Sequence, residues 1–179
     1  TLACSSMSQI GFIIIAIGMQ GLLGEHNALA ASGTFLHFLN HSLFKLLLFV
    51  GAGVVFMNLK ELNLNKIRGY GKDKPLLKFI FLMPILGIGG IPLWNGYISK
   101  TLIHESMVEY IHLLAEAGQS VTFMKCAEAL FLFSGGLTLA YMTKIFVCIF
   151  LEINPYGAPK SVRKGPYISK MMAVILAVI

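Results

Sequence analysis

Residues 27–57 read NALAASGTFLHFLNHSLFKLLLFVGAGVVFM, an apolar run whose ionisable groups are His37, His41 and Lys45 alone. At about 3.6 residues per turn, steps of four place these three side chains on one helical stripe within roughly 80°. Lys45 lies roughly 18 Å along the helix from Met57, at 1.5 Å per residue, too far for its ammonium to snorkel fully to the near interface. Ionisable groups held inside an apolar span mark a functional site by default.

Composition points the same way. Hydrophobic residues make up 56% of the 179, charged residues 12%, and mean hydropathy is +0.78, well outside the globular range. The class expected is an all-α membrane protein, a multi-pass transmembrane helix bundle in a lipid bilayer. The net charge of +6 does not indicate nucleic acid, because the cations are interleaved with apolar spans and do not form a basic domain with aromatic platforms. Cys4, Cys126 and Cys148 sit in apolar stretches without the close spacing of a metal or redox centre, so no cofactor or metal is expected and the cysteines read as packing residues.

Hydropathy outlines spans at 1–22, 28–57, 76–110 and 121–151, and the start of another from Met171. Both ends read as cuts through a longer subunit. The connection 58–78 carries Lys60, Lys66, Arg68, Lys72, Lys74 and Lys78, and 152–170 carries Lys160, Arg163, Lys164 and Lys170. By the positive-inside rule both face the cytoplasm, and the expected location is the cell membrane. The alternate connections hold Glu25 with His26, and Glu116, so the charge bias alternates at each crossing.

As one helix, 76–110 would reach roughly 52 Å, beyond what a bilayer of about 30 Å needs. Pro84, Gly87, Gly89, Gly90, Pro92 and Gly96 account for the excess: missing donors and backbone entropy predict a broken helix between Gly87 and Gly96. Such a break must be buried in protein or line a hydrated cavity. Lys100 follows it, an arrangement used by transporters. Gly51, Gly53, Gly135 and Gly136 are expected to permit close helix approach.

Residues 5–11 (SSMSQIG), 37–53 (HFLNHSLFKLLLFVGAG) and 90–100 (GIPLWNGYISK) resemble, in that order, the antiporter-like proton-translocating subunits of respiratory complex I, membrane-bound hydrogenases and Mrp cation/proton antiporters. The resemblance implies a single partial transmembrane domain over 1–179: the second of two inverted five-helix repeats, lacking its first helix, plus the start of the next helix. It makes Lys45 the family's central lysine, with His37 and His41 before it, and Lys100 the ionisable residue after the broken helix, where some members have glutamate. It also places a basic residue near Lys144. The implied function is proton translocation within a redox-driven complex of NADH:quinone oxidoreductase or hydrogenase type. The chain itself would have no redox site, and other membrane subunits would be its partners.

Each residue also has a plainer reading. The stripe of His37, His41 and Lys45 serves either as a proton relay or as interhelical hydrogen bonding in a passive structural subunit. Lys100 reads as a gate or as a solvated anchor, and His104 as an outward extension of the path or an interfacial residue. Glu128, three residues after Lys125, reads first as its local ion-pair partner and second as a pathway member. Lys144 reads as a snorkelling residue or a pathway member, and Trp94 as packing. Nitrogen donors suit protons better than sodium, which prefers oxygen ligands. Sodium exchange, in a stand-alone or Mrp-type antiporter, would draw on residues outside this stretch.

Overall fold

The computed structural model describes residues 1–155, 157, 159, 161, 162 and 166–168, and among these every regular element is helical. The helices are α1 (Leu2–Leu23), α2 (Ala28–Leu59), α3 (Leu64–Ile67), α4 (Pro75–Gly89), α5 (Asn95–Glu116) and α6 (Thr122–Phe150), with a 3₁₀ turn at Gly24–His26. Among the described residues three segments, Leu2–His26, Ala28–Leu59 and Thr122–Phe150, are long and apolar enough to cross a membrane, and Pro75–Gly89 is a shorter apolar helix. The span expected at 76–110 is thus two helices, α4 and α5. Pro84 is accommodated inside α4, and the break is confined to residues 90–94. The span expected from Met171 lies outside the described residues.

The chain divides into two compact units, Thr1–Ser42 with Leu86–Leu139, and Leu43–Ile85 with Ala140–Ile179. In the first, α1 packs on α5, burying Phe12, Ala16, Met19, Ile103, Met107 and Phe131. Lipid tails are as apolar as these side chains, so close packing and not expulsion from water holds such helices together. Gly33 provides such closeness between α2 and α5: a Cβ there would lie 3.1 Å from the Ile103 nitrogen and 3.1 Å from the Leu102 Cβ. At Gly53, Gly135 and Gly136 a Cβ would meet open space, whereas at Gly51 it would strike the Phe81 ring. Of the four close approaches expected, only that at Gly51 is made.

In the second unit the two basic connections clasp each other, as segments on one side of a membrane can. Arg68 pairs with Glu152 at 2.8 Å. The Gly69 and Gly71 amides donate to the Cys148 and Ile149 carbonyls. Buried Asn58 donates to the Tyr167 carbonyl at 2.8 Å, and its own carbonyl accepts from Val162.

Candidate functional site

The break after α4 is an ordered helix cap. Gly90 adopts φ +75°, its amide donates to the Gly87 carbonyl, and the Ile91 amide reaches back to Leu86. These two bonds with a left-handed glycine form a Schellman motif. Pro92 has no amide to donate, Leu93 takes φ +78°, and α5 begins after Trp94. Gly87, Ile88 and Gly96 are buried, Gly89 and Gly90 half-buried, while Pro92 and Leu93 are exposed in this chain. One side of the break is therefore buried as expected and the other is not.

A Schellman motif leaves carbonyls of the last turn without intrahelical donors, and Lys100 supplies one. Its Nζ donates to the Ile88 carbonyl at 2.7 Å and lies 5.5 Å from the centroid of the Phe12 ring. The C-terminal end of a helix favours a cation, so half-helix α4 holds the ammonium on its negative end. The φ of +75° favours glycine at position 90, and a Cβ there would lie 3.2 Å from Lys100 Cδ, so the lysine stem would have to give by a few tenths of an ångström.

Next to Lys100 on α5, Ser99 is fully buried. Its hydroxyl meets His37 Nδ1 at 3.1 Å and donates to the Gly96 carbonyl. His37 is itself buried, edge-on to Phe12 at 6.0 Å and parallel to His41 at 6.5 Å between centroids. Asn40 donates to the Asn95 carbonyl at 3.0 Å, a second tie from α2 to the start of α5. Lys45 lies one turn beyond His41 on the same unbroken helix, in the second unit, and is buried at 6% exposure.

His104 Nε2 lies 2.8 Å from Glu128 Oε1 and its Nδ1 4.0 Å from Glu105. Glu128 therefore meets His104 across helices, and not Lys125 on its own helix as expected: the shorter sequence separation loses to the better-aimed partner. Lys144 is exposed on α6. Among the described residues no group of His, Cys, Asp or Glu is arranged to hold a metal.

Two polar residues, Ser99 and Gln9, make cross-helix contacts that spacing does not reveal. Ser99 links His37 to the lysine-bearing helix, and its only signal was its place beside Lys100. Gln9, within SSMSQIG, is fully buried and donates to Thr138 at 3.3 Å. Trp94, read as packing, keeps a buried indole Nε1 without a hydrogen-bond partner.

Residues 1–124 match the family described as NADH:quinone oxidoreductase/Mrp antiporter, TM. The chain is 26% identical to a putative antiporter subunit mnhA2 of Staphylococcus haemolyticus, over 99% of this chain and 23% of that protein. It is 28% identical to formate hydrogenlyase subunit 3 of Escherichia coli, over 99% of this chain and 30% of the relative. It is 32% identical to NADH-ubiquinone oxidoreductase chain 5 of Trichophyton rubrum, over 99% of this chain and 25% of the relative. The chain thus spans 23% to 30% of the length of these relatives.

Proposed function

This chain belongs to the NADH:quinone oxidoreductase/Mrp antiporter transmembrane family, and from that premise we propose that it translocates protons as part of a larger antiporter-like membrane subunit. Lys45 is the central proton store, His41 and His37 are its relay partners along α2, and Lys100 is the exchange point at the break. The pair of His104 on α5 and Glu128 on α6 continues the path from Lys100. The subunit works beside other membrane subunits in a redox-driven complex and carries no redox site of its own. The segment is the second antiporter-like repeat without its first helix. The connections 58–78 and 152–170 face the cytoplasm across the cell membrane, a placement supported by their basic residues, while the Arg68–Glu152 clasp fits both lying on one side.

One observation carries the reading: an ammonium held on the carbonyl end of a broken half-helix, next in sequence to the serine that touches a buried histidine of the stripe. A lysine that serves only as an anchor reaches outward to water, whereas this one turns back onto the break. The energy scale is adequate. One charge moved across 100 mV costs about 2.3 kcal/mol, and one pKa unit corresponds to about 1.36 kcal/mol, so modest changes in the surroundings of a relay group match the work of transport.

The test is Lys45→Met in the full-length subunit within its complex, reconstituted in vesicles. Proton uptake driven by electron transfer is expected to be lost while electron transfer persists; undiminished uptake would refute the reading. The name of the staphylococcal relative, an antiporter subunit, favours a second reading, cation/proton exchange without redox drive. Proton flux driven by a sodium gradient in vesicles without an electron donor would select it.

A further inference from the structure

We propose that Ser99 is a positioning residue that fixes His37 in the tautomer with its hydrogen on Nδ1, so that Nε2 is the only ring atom through which His37 takes up and gives back a proton. This rests on the relay reading of α2. The Ser99 hydroxyl has one hydrogen, and it is directed to the Gly96 carbonyl at 3.1 Å. Toward His37 Nδ1, 3.1 Å away, the oxygen therefore has only a lone pair to offer, and the hydrogen of that contact belongs to the imidazole.

The other ring nitrogen gives an independent argument. His37 is 3% exposed and its Nε2 is buried with no hydrogen-bond partner. The opposite tautomer would leave an N–H without an acceptor there and also draw the serine hydrogen away from the Gly96 carbonyl. An orphaned buried donor is rarer in folded proteins than an under-satisfied acceptor, and each unmade buried bond costs about 1–3 kcal/mol. Both effects favour hydrogen on Nδ1 and a lone pair on Nε2.

The proton balance is then fixed. Nε2 accepts one proton to give an imidazolium that keeps its Nδ1–H on Ser99, and releasing a proton from Nε2 restores the starting tautomer. The Ser99 side is closed to transfer, because its hydrogen is directed at an amide carbonyl that has no proton to pass on. Communication between His37 and Lys100 therefore does not run through the hydroxyl that touches one and adjoins the other in sequence.

The experiment is solid-state NMR of the full-length subunit in its complex in lipid, with ring-¹⁵N histidine and the His37 signals identified by their loss in His37→Gln. With His37 neutral, a protonated Nδ1 and an unprotonated Nε2 are expected. Ser99→Ala should move the hydrogen to Nε2 or mix the two forms and reduce proton transfer, and Ser99→Thr should restore both. With His37 neutral, an Nε2–H signal in the unmodified protein overturns the proposal whatever transport does. If the tautomer changes in Ser99→Ala and proton transfer does not, the tautomer assignment stands and the relay reading falls.

Discussion

Two lysines make nearly the same contacts along α4 and adjoining segments, in different surroundings. Lys74, just before the helix, donates to the Tyr70 carbonyl at 2.7 Å and lies 3.8 Å from the Tyr70 ring centroid. Lys100 donates to the Ile88 carbonyl near the end of the helix, also at 2.7 Å, and lies 5.5 Å from the Phe12 centroid. Carbonyl and ring therefore do not make a proton site. Lys74 has Asp73 beside it in a basic connection, where its charge is one of many. Lys100 reaches from α5 back to a helix break within an apolar stretch, beside the Ser99 that engages a buried histidine. The difference lies in whether the neighbouring residue on the helix engages a buried histidine.

The sharpest way to break this comparison is to remove each ammonium. Lys100→Met should lower proton transfer by about a hundredfold or more, the scale on which a positioned proton-transfer group contributes, while Lys74→Met should leave transfer intact. Lys100→Arg separates capping from titration. Arginine can still donate to the Ile88 carbonyl but does not deprotonate in a protein, so the complex should assemble and fail to transport. An arginine variant that pumps normally would reduce Lys100 to a helix cap, no different from Lys74.

The break itself was legible because its cause is local: glycine and proline between Gly87 and Gly96 cannot sustain a helix. Its form was not legible. The sequence reading has no means of telling a frayed gap from a Schellman cap whose spare carbonyl awaits a cation. The stripe on α2 followed from periodicity alone, since steps of four are fixed by the helix. Partnerships across helices did not follow from it. Spacing pairs Glu128 with Lys125, three residues away, whereas His104, twenty-four residues away, holds it; helical periodicity relates only neighbours on one helix. Gly33 and Ser99 were passed over for the same reason, because a small residue acquires meaning only from what another helix brings against it.

A second comparison uses two helix ends with the same cap. Gly118, after α5, has φ +67° and its amide and that of Gln119 reach back to Ala115 and Leu114, the bond pattern found at Gly90. Alanine in a left-handed conformation costs about 1–2 kcal/mol, so Gly90→Ala and Gly118→Ala should each lower thermal stability by about that much. Only Gly90→Ala should also impair proton transfer, by less than Lys100→Met, because its new Cβ presses on Lys100 while that at Gly118 meets open space. Equal transport in the two variants would mean that the position of Lys100 does not matter.

The smallest effect expected is at Lys74. Burial holds its ammonium below the usual lysine range, and the Asp73 carboxylate opposes the change. Between that lowered value and lysine's ordinary 10.5, the folded state binds fewer protons than the unfolded chain, so Lys74's contribution to stability becomes more favourable as pH rises. Above lysine's ordinary value the gain levels off, and solvent around a part-exposed side chain keeps it small. Melting temperatures of the full-length subunit in detergent, taken from neutral pH upward, should therefore show the unmodified protein gaining on Lys74→Met as lysine begins to titrate. A difference that stays flat, or shrinks, would mean that Lys74 is as well solvated folded as unfolded. The contrast with Lys100 would then be between a buried ammonium and a free one, instead of between two ammonium groups held by the same contacts.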